Sequence, residues 1–198
     1  MSKRYEQDYF DRWYRSSRAV VRPAAVQRKV RLALAATEYL LDRELRTVLD
    51  IGCGEAPWRA HLRRMRPDVE YTGVDPSEYA VRRFGRRRDI LPGSFTTLDQ
   101  IGLARSYDLI VCSDVLQYLT SAEVRKGLRI VAKRLGGVAF IEAFTVKDDM
   151  IGDRELWHER SAAWYRRAFA DAGLTQIGLY MFVGAKLLPV VNELERCL

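Results

Sequence analysis

The sequence predicts an α/β fold, a doubly wound and mostly parallel sheet that carries a helical extension at its amino end. Short apolar runs alternate with helical patterns along most of the chain, an arrangement that places helices between neighbouring strands. The runs are continuous rather than alternating, as in residues 109–112, which favours parallel strands covered on both faces. Acidic residues follow several of these runs, so the strand ends are predicted to form a ligand site.

The amino-terminal part of the chain is predicted to be helical. Aromatic side chains interleave with charged ones at helix-like spacing through residues 5–18. An amphipathic pattern then predicts a long helix over residues 24–43, with valines and leucines on its apolar side. Both segments precede the first predicted strand, so they form an extension to the sheet.

Apolar runs predict six strands, at residues 46–51, 69–74, 87–90, 107–112, 137–143 and 174–183. Thr120 and Glu123 form a capping-box signal, which opens a helix that runs through Leu135. Gly136 and Gly137 are predicted to end that helix.

The carboxyl-terminal third ends in two predicted helices. One covers residues 159–172 and ends at Gly173, a plausible helix cap. The other is a short amphipathic helix over residues 187–198. That helix replaces a clear strand pattern, so the presence of a seventh strand is left open.

Length and composition predict one globular domain over residues 1–198. The chain is 48% hydrophobic and 30% charged, as ordinary soluble domains are. Within it we distinguish a helical lid or extension (1–43), a ligand-binding core (46–145), and a substrate-side insert with carboxyl-terminal elements (146–198). No apolar run approaches the roughly 20 residues that span a bilayer, and the first residues lack the apolar region of a secretion signal. A cytoplasmic location is therefore expected.

Cysteine and arginine usage exclude some functions and leave others open. The three cysteines, Cys53, Cys112 and Cys197, have no paired spacing, which argues against a disulfide framework and against a zinc site. No metal site is predicted. The net charge is +7, with arginines concentrated in residues 63–66 and 82–88. Nucleic-acid binding and a solvated charged face both explain these clusters.

The most informative segment is a strand that ends in an acid and a glycine turn. Val48-Leu49-Asp50-Ile51 is followed by Gly52-Cys53-Gly54, and the next strand ends at Asp75. Glycines let a ligand approach the backbone, and the helix that follows opens with free N–H groups. An acid at the tip of the second strand can accept hydrogen bonds from ribose hydroxyls. The pattern therefore predicts a nucleoside-containing ligand.

Missing features decide which nucleoside this is. A dinucleotide fingerprint needs a third glycine, where this chain has Pro57 followed by Trp58, and no phosphate-binding loop motif occurs. Pro57 is predicted to lie in the first turn of the next helix, where its missing N–H costs little. Asp50 before the turn would repel phosphates and suits a cation. A ligand with adenine, ribose and a positive centre is S-adenosylmethionine.

These blocks, together with residues 107–119 (YDLIVCSDVLQYL), resemble the class I, Rossmann-like S-adenosylmethionine-dependent methyltransferases, closest to their bacterial small-molecule branch. The similarity covers residues 46–145 well and the two ends poorly. The resemblance implies S-adenosylmethionine as cofactor, and implies that it is held by Asp50, Gly52, Cys53, Gly54, Asp75, Pro76, Asp89, Ile90, Cys112 and Ser113. In this assignment Asp75 holds the ribose, while Asp89 and Ile90, at the end of the third strand, flank the adenine.

Catalysis is harder to place, because methyl transfer depends largely on alignment of the reacting atoms. Asp114 and His158 are the candidates for a general base. The side chains expected to wall the acceptor pocket come from the amino-terminal segment, the end of the fourth strand and the late insert: Tyr9, Trp13, Tyr14, Gln117, Tyr118, Trp157 and also Trp164.

The predicted function is methylation of oxygen or nitrogen in a small molecule by in-line displacement. The segment Ser113-Asp114-Val115-Leu116 stands where DNA amino-methyltransferases carry an Asn-Pro-Pro-Tyr type of motif, which counts against DNA. Two alternatives stay open: a tRNA or rRNA methyltransferase, and a non-catalytic scaffold that retains the cofactor fold.

Overall fold

The structure is a computed structural model and describes residues 5–16, 21–149 and 153–193. Its centre is a seven-stranded sheet, whose strands along the chain are β1 (Thr47–Ile51), β2 (Glu70–Asp75), β3 (Ile90–Pro92), β4 (Tyr107–Cys112), β5 (Leu135–Ile141), β6 (Thr175–Gly178) and β7 (Met181–Val183). Their order in the sheet is β3-β2-β1-β4-β5-β7-β6. Only β7 runs antiparallel to its neighbours. The predicted doubly wound, mostly parallel sheet is therefore confirmed.

Helices cover both faces of this sheet. A short helix α1 (Gln7–Phe10) continues as a π-helix over Asp11–Arg15, and the longer helices are α2 (Pro23–Leu41), α3 (Pro57–Met65), α4 (Glu78–Arg88), α5 (Ser121–Arg134) and α6 (Ala162–Asp171), followed by the single turn α7 (Leu188–Val191). The amino-terminal helical extension is confirmed. No helix in the described residues is both long and apolar enough to cross a bilayer.

Side chains of the central strands alternate between two apolar clusters. Val48 and Leu109 point into a cluster built with α2, α3 and α4, whereas Leu49 and Ile110 point into a cluster built with α5 and α6. All four side chains are fully buried. Two-sided burial is why the strands appear in the sequence as continuous apolar runs.

Two local signals work as predicted. The Thr120 hydroxyl accepts the Glu123 N–H, and the Glu123 carboxylate accepts the Thr120 N–H, so the capping box opens α5. Pro57 is the first residue of α3, where its missing N–H costs nothing. This fixes where the chain leaves the glycine turn.

The single strand predicted over residues 174–183 is wrong, because that segment folds back as the hairpin β6–β7. Gly178, Leu179 and Tyr180 all have positive φ, between 45° and 114°, and reverse the chain within three residues. A seventh strand is therefore present. Bulky residues in this region of φ/ψ space carry no turn signal, which is why the reversal is absent from the sequence pattern.

Gly136 and Gly137 do not end a helix. They lie inside β5, which pairs with β4, and a Cβ at Gly137 would collide with the carbonyl oxygen of Asp108. The pair is required for close strand approach, one of the uses of glycine within a sheet.

The third strand lies later than predicted. Residues 78–88 form α4, Asp89 caps that helix in the left-handed conformation (φ 58°), and β3 begins only at Ile90. Of the predicted terminal helix, residues 188–191 form α7, whereas residues 194–198, with Cys197, lie outside the described residues.

Candidate active site at the carboxyl edge of the sheet

The carboxyl ends of β1, β2 and β4 bring the predicted acidic residues together. Asp50 pairs in register with Gly73 of β2 and with Val111 of β4, so the turn after β1 lies between the other two strand ends. Asp75 ends β2, and Asp114 follows β4. This edge next to the glycine turn is the topological switch point, where doubly wound sheets bind ligands.

The glycine turn is held against β2 by its own backbone. The N–H groups of Gly52 and Cys53 both donate to the Val74 carbonyl, at 2.7 and 3.2 Å. Gly52 and Gly54 have φ of 68° and 53°, a region that favours glycine. A Cβ at Gly52 would collide with Val115, so the turn also packs against the loop after β4.

Asp75 is a buried carboxylate that anchors the turn. It accepts the N–H of Gly54 at 2.7 Å on one oxygen and the N–H of Ser77 at 2.9 Å on the other. Burial raises its pKa, and these two hydrogen bonds partly oppose the rise. A carboxylate has about four acceptor positions, so two remain for ligand hydroxyls.

Asp50 lies buried beneath the glycine turn. The Tyr71 hydroxyl donates to its carboxylate at 2.6 Å. Burial raises the pKa of Asp50 to about 7; the Tyr71 hydrogen bond lowers it and the charge of Asp75 raises it. A buried carboxylate without a cationic partner is costly, and a positively charged ligand would relieve that cost.

Asp114 is held in a left-handed conformation (φ 63°) just after β4. The side-chain amide of the fully buried Gln117 donates to its carboxylate. Solvent reaches Asp114, yet surrounding protein raises its pKa to about 6, against the Gln117 hydrogen bond, with a further rise from Glu142. Glu142, just after β5, pairs with Lys29 of α2 at 2.7 Å.

The amino-terminal segment, residues 5–15, covers the glycine turn. A Cβ at Gly54 would collide with the Tyr14 hydroxyl, and Phe10 packs on Tyr14 and Tyr79. Ser77 Oγ donates to the Tyr5 carbonyl at 2.5 Å. Tyr9 and Tyr14 therefore reach the predicted site, and Trp13 lies half-buried on the same segment.

The residues predicted from the late insert differ in how close they lie to the candidate site. Tyr118 donates to the Asp153 carbonyl at 2.9 Å, and the half-buried Trp157 has an indole N–H without a partner. The His158 side chain is exposed; only its backbone N–H contacts the site, donating to the Gln117 carbonyl. Its role as a base stays a prediction. Trp164 packs on Tyr165 and under Arg160, on the α6 side.

Arg160 is a functional-site support that sequence analysis missed. It is 6% exposed and donates to the carbonyls of Leu116 and Leu119, which joins the insert to the loop after β4. No local pattern marks it, because an arginine just before a helix is normally a surface residue.

The predicted position of Asp89 at the end of the third strand is wrong. Asp89 precedes β3, and its carboxylate pairs with Arg59 and Arg63 of α3. Ile90 begins β3 and is buried in the core. The carboxyl end of β3 is instead Pro92, which lines an open concavity of about 290 Å³ beside Asp75, together with Pro76, Ser77, Glu78, Val81 and Arg82.

Cys112 is the last residue of β4 and pairs with Ile141 of β5, and Ser113 follows it directly. Burial raises the pKa of the Cys112 thiol well above its ordinary value, so this cysteine stays protonated. The Ser113 hydroxyl is shielded and has no partner. Among the clustered arginines, Arg66 and Arg88 are engaged with Glu38 and Glu55.

Sheet order, glycine turn and terminal acid of β2 together define a Rossmann-like methyltransferase fold. Residues 49–137 match the family model described as a methyltransferase domain, so the predicted family and enzyme class are confirmed. S-adenosylmethionine is the methyl donor of this class. No curated protein matches the chain.

Solved structures repeat the fold. DesVI of Streptomyces venezuelae is 18% identical, with 82% of this chain and 92% of that chain covered and a TM-score of 0.63. A SAM-dependent methyltransferase from Archaeoglobus fulgidus is 16% identical, with 84% and 73% covered and a TM-score of 0.63. NcsB1, an O-methyltransferase of neocarzinostatin biosynthesis solved with S-adenosylhomocysteine and a dihydroxynaphthoic acid, is 21% identical, with 82% and 56% covered and a TM-score of 0.55.

Proposed function

We propose that this chain transfers the methyl group of S-adenosylmethionine to a metabolite-sized acceptor, on oxygen or nitrogen, by in-line displacement. The observation that carries the proposal is the pair of buried carboxylates, Asp50 and Asp75, on either side of a glycine turn that leaves no room for a Cβ. The neighbouring structures support the small-molecule class, since NcsB1 was solved with a dihydroxynaphthoic acid.

The residues present fit the methyl donor. Asp75 has acceptor positions left for the ribose hydroxyls, and Asp50 offers a buried negative charge to the cationic methionine part. We assign the adenine to the concavity between Pro76 and Pro92 in place of the predicted contact with Asp89. Backbone groups of Cys53, Cys112 and Ser113 would complete the methionine side. When bound, S-adenosylmethionine supplies a methyl group already activated by its sulfonium.

The protein's own contribution is to align the acceptor and exclude water. Asp114 is exposed just after the carboxyl end of β4, where it can bind or deprotonate an acceptor group. The predicted acceptor-pocket residues Tyr9, Tyr14, Gln117 and Tyr118 come from both the lid and this loop. We infer that the acceptor binds between them. This assignment keeps the predicted division into lid, core and carboxyl-terminal insert.

Binding of S-adenosylhomocysteine tests the proposal directly. Asp75→Ala is expected to raise the dissociation constant by about tenfold or more, because a charged acceptor of two hydrogen bonds is lost. Calorimetry on the whole chain measures this, with Asp99→Ala as control, since Asp99 is an exposed acid away from the site. Tight NAD binding with no signal for the adenosyl ligand would overturn the proposal.

One observation favours the non-catalytic scaffold as a second candidate. Tyr14 lies over Gly54, so the segment 5–15 occupies part of the space above the turn. A scaffold would keep this contact, so the whole chain would transfer no methyl groups, and removal of residues 1–16 would open the space without producing transfer. An enzyme must open the segment to admit S-adenosylmethionine.

We also propose a cytoplasmic location. Cys53 and Cys112 are free and buried thiols, and a reducing compartment maintains such thiols. Fractionation of the producing cells tests this, and recovery of the chain from the secreted fraction would contradict it.

A further inference from the structure

The loop after β4 forms a small polar floor beside the glycine turn. Asp114 and Gln117 are joined by a hydrogen bond from the Gln117 amide to the Asp114 carboxylate. Asp114 is exposed to solvent, whereas Gln117 is fully buried. Both belong to the edge at which methyl transfer is proposed to occur.

Hydrogen-bonding capacity on this floor is incomplete. The Gln117 side-chain oxygen is shielded from solvent and has no partner. In the part of the chain that the structure describes, only one oxygen of Asp114 accepts a hydrogen bond. Carboxylate and amide oxygens are acceptors, so the group missing from this floor is a donor. A buried acceptor without a donor costs free energy, which a bound donor would restore.

Charge at the floor favours a positively charged donor. Asp114 and Glu142 place two carboxylates at neighbouring strand ends, and the nearby cation, Lys29, is held by Glu142 at 2.7 Å. Asp153 adds a further negative charge from the insert. The surroundings of Asp114 are therefore acidic in a chain whose net charge is +7.

Aromatic rings around the floor match the same ligand chemistry. Burial raises the pKa of Tyr9 and of Tyr118, and the nearby Asp114 charge raises both further, so the two hydroxyls stay neutral. Neutral tyrosine rings attract cations through their faces. Neutral tyrosines cannot serve as the base that a hydroxyl acceptor would require.

We infer that the acceptor presents a primary or secondary amine to Asp114 and Gln117, so that the chain is an N-methyltransferase. This inference rests on the proposed function and names its substrate class. The amine binds in its protonated form and first gives one proton to the Asp114 carboxylate, which frees the nitrogen lone pair. That lone pair forms the new N–C bond as the C–S bond of the donor breaks, with the C–S electron pair remaining on sulfur. The product leaves as a positively charged alkylammonium, and Asp114 returns its proton to water.

Matched amines and alcohols test the inference without a known substrate. The probes are benzylamine against benzyl alcohol and cyclohexylamine against cyclohexanol, titrated into the whole chain saturated with S-adenosylhomocysteine and followed by NMR. We expect each amine to bind about tenfold or more tightly than its alcohol, as a charge-assisted hydrogen bond predicts.

Variants assign the preference to the floor. Asp114→Asn should abolish it, whereas Asp171→Asn, which alters an exposed acid on α6, should leave it intact. Equal binding of amine and alcohol, or a preference that survives in Asp114→Asn, would overturn the inference. Retained binding of S-adenosylhomocysteine shows that each variant is folded. Failure of the parent chain to bind it would overturn the proposed function, and this inference with it.

Discussion

Three aspartates at the carboxyl edge carry the same functional group in different surroundings. Asp75 is engaged by two backbone N–H groups, Asp50 by one tyrosine hydroxyl, and the exposed Asp114 by one side-chain amide. Burial raises the pKa of all three, most clearly to about 7 for Asp50 and about 6 for Asp114. Their environments thus separate an anchoring acid from two acids that a cationic ligand can engage.

The raised pKa of Asp50 predicts a pH-dependent affinity. S-adenosylhomocysteine has no sulfonium but keeps the α-ammonium of its amino-acid part. The ionised Asp50 carboxylate attracts this cation and the protonated one does not, so affinity for S-adenosylhomocysteine should fall as the pH decreases through about 7. We expect binding to be up to about tenfold weaker at pH 6 than at pH 8. Calorimetry in two buffers of different ionisation enthalpy measures the affinity and the protons released.

Two variants separate Asp50 from other titrating groups. Asp50→Asn should remove most of the pH dependence. Tyr71→Phe removes the hydrogen bond that lowers the pKa of Asp50, so it should move the transition to higher pH. An unchanged pH profile in Asp50→Asn would contradict this assignment.

At the scale of elements, two segments adopt arrangements that their amino-acid patterns do not indicate. Residues 5–15, the part of the predicted lid that lies over the glycine turn, are called the lid below. They are tied to the core by the ion pair of Arg15 with Glu55 and by the hydrogen bond from the Ser77 hydroxyl to the Tyr5 carbonyl. The β6–β7 turn places Leu179 and Tyr180 in the left-handed region, with both side chains exposed. Both segments adjoin the site at the carboxyl edge.

The lid predicts a gated association of the methyl donor. Tyr14 lies against Gly54, so binding waits for the segment to open, and the apparent rate is reduced by the open fraction. Tyr14→Ala should increase the association rate of S-adenosylhomocysteine, about tenfold if a tenth of the molecules are open. Stopped-flow tryptophan fluorescence measures it.

A remote tyrosine provides the control for the lid. Tyr39 is 55% exposed on α2, and Tyr39→Ala should leave the association rate unchanged. Equal rates for Tyr14→Ala and the parent chain would show that the lid is already open when the ligand arrives.

For the whole molecule, charge is distributed unevenly between the two edges of the sheet. The carboxyl edge brings together Asp50, Asp75 and Asp114, whereas the opposite edge contains a structural ion pair. There Arg43 donates two hydrogen bonds of 2.8 Å to Asp108, which also accepts the N–H of Arg46 at 2.9 Å. This pair joins the end of α2 to the starts of β1 and β4.

Arg43→Ala should lower the free energy of unfolding by about 2 kcal/mol at pH 7, the value of hydrogen bonds to a charged group. Burial raises the pKa of Asp108, but the hydrogen bonds and charge of Arg43, with the N–H groups of Arg46 and Thr47, lower it by more. The net shift of this pKa is therefore downward. A lowered pKa contributes stability above the unfolded value of about 3.9, which is lost as the pH falls through the folded value. The variant's deficit should therefore shrink below pH 4.

Urea denaturation between pH 3 and pH 7 measures both effects. Arg28→Ala is the control, because Arg28 is exposed on the same helix. An Arg43→Ala deficit that stays constant across this pH range would show that Asp108 does not respond to Arg43.

Sequence patterns alone predicted the sheet, the glycine turn with Asp50 and Asp75, the capping box at Thr120 and the helix start at Pro57. Each of these depends on neighbours in the chain: two-sided burial produces a continuous apolar run, and a turn demands glycine. Such features also carry the family resemblance. This is why the enzyme class could be read before the structure.

Tertiary structure alone decided the rest. Asp89 carries the sequence appearance of a strand-end acid, yet it caps α4 because its carboxylate meets Arg59 and Arg63 across the fold. The unpartnered Gln117 oxygen beside Asp114, and the contact of Tyr14 with Gly54, likewise join segments or burial states that no local spacing encodes. Long-range contacts determine which polar atoms are buried away from water and which of these are left without a hydrogen-bond partner. That distinction, more than residue type, defines the acceptor site.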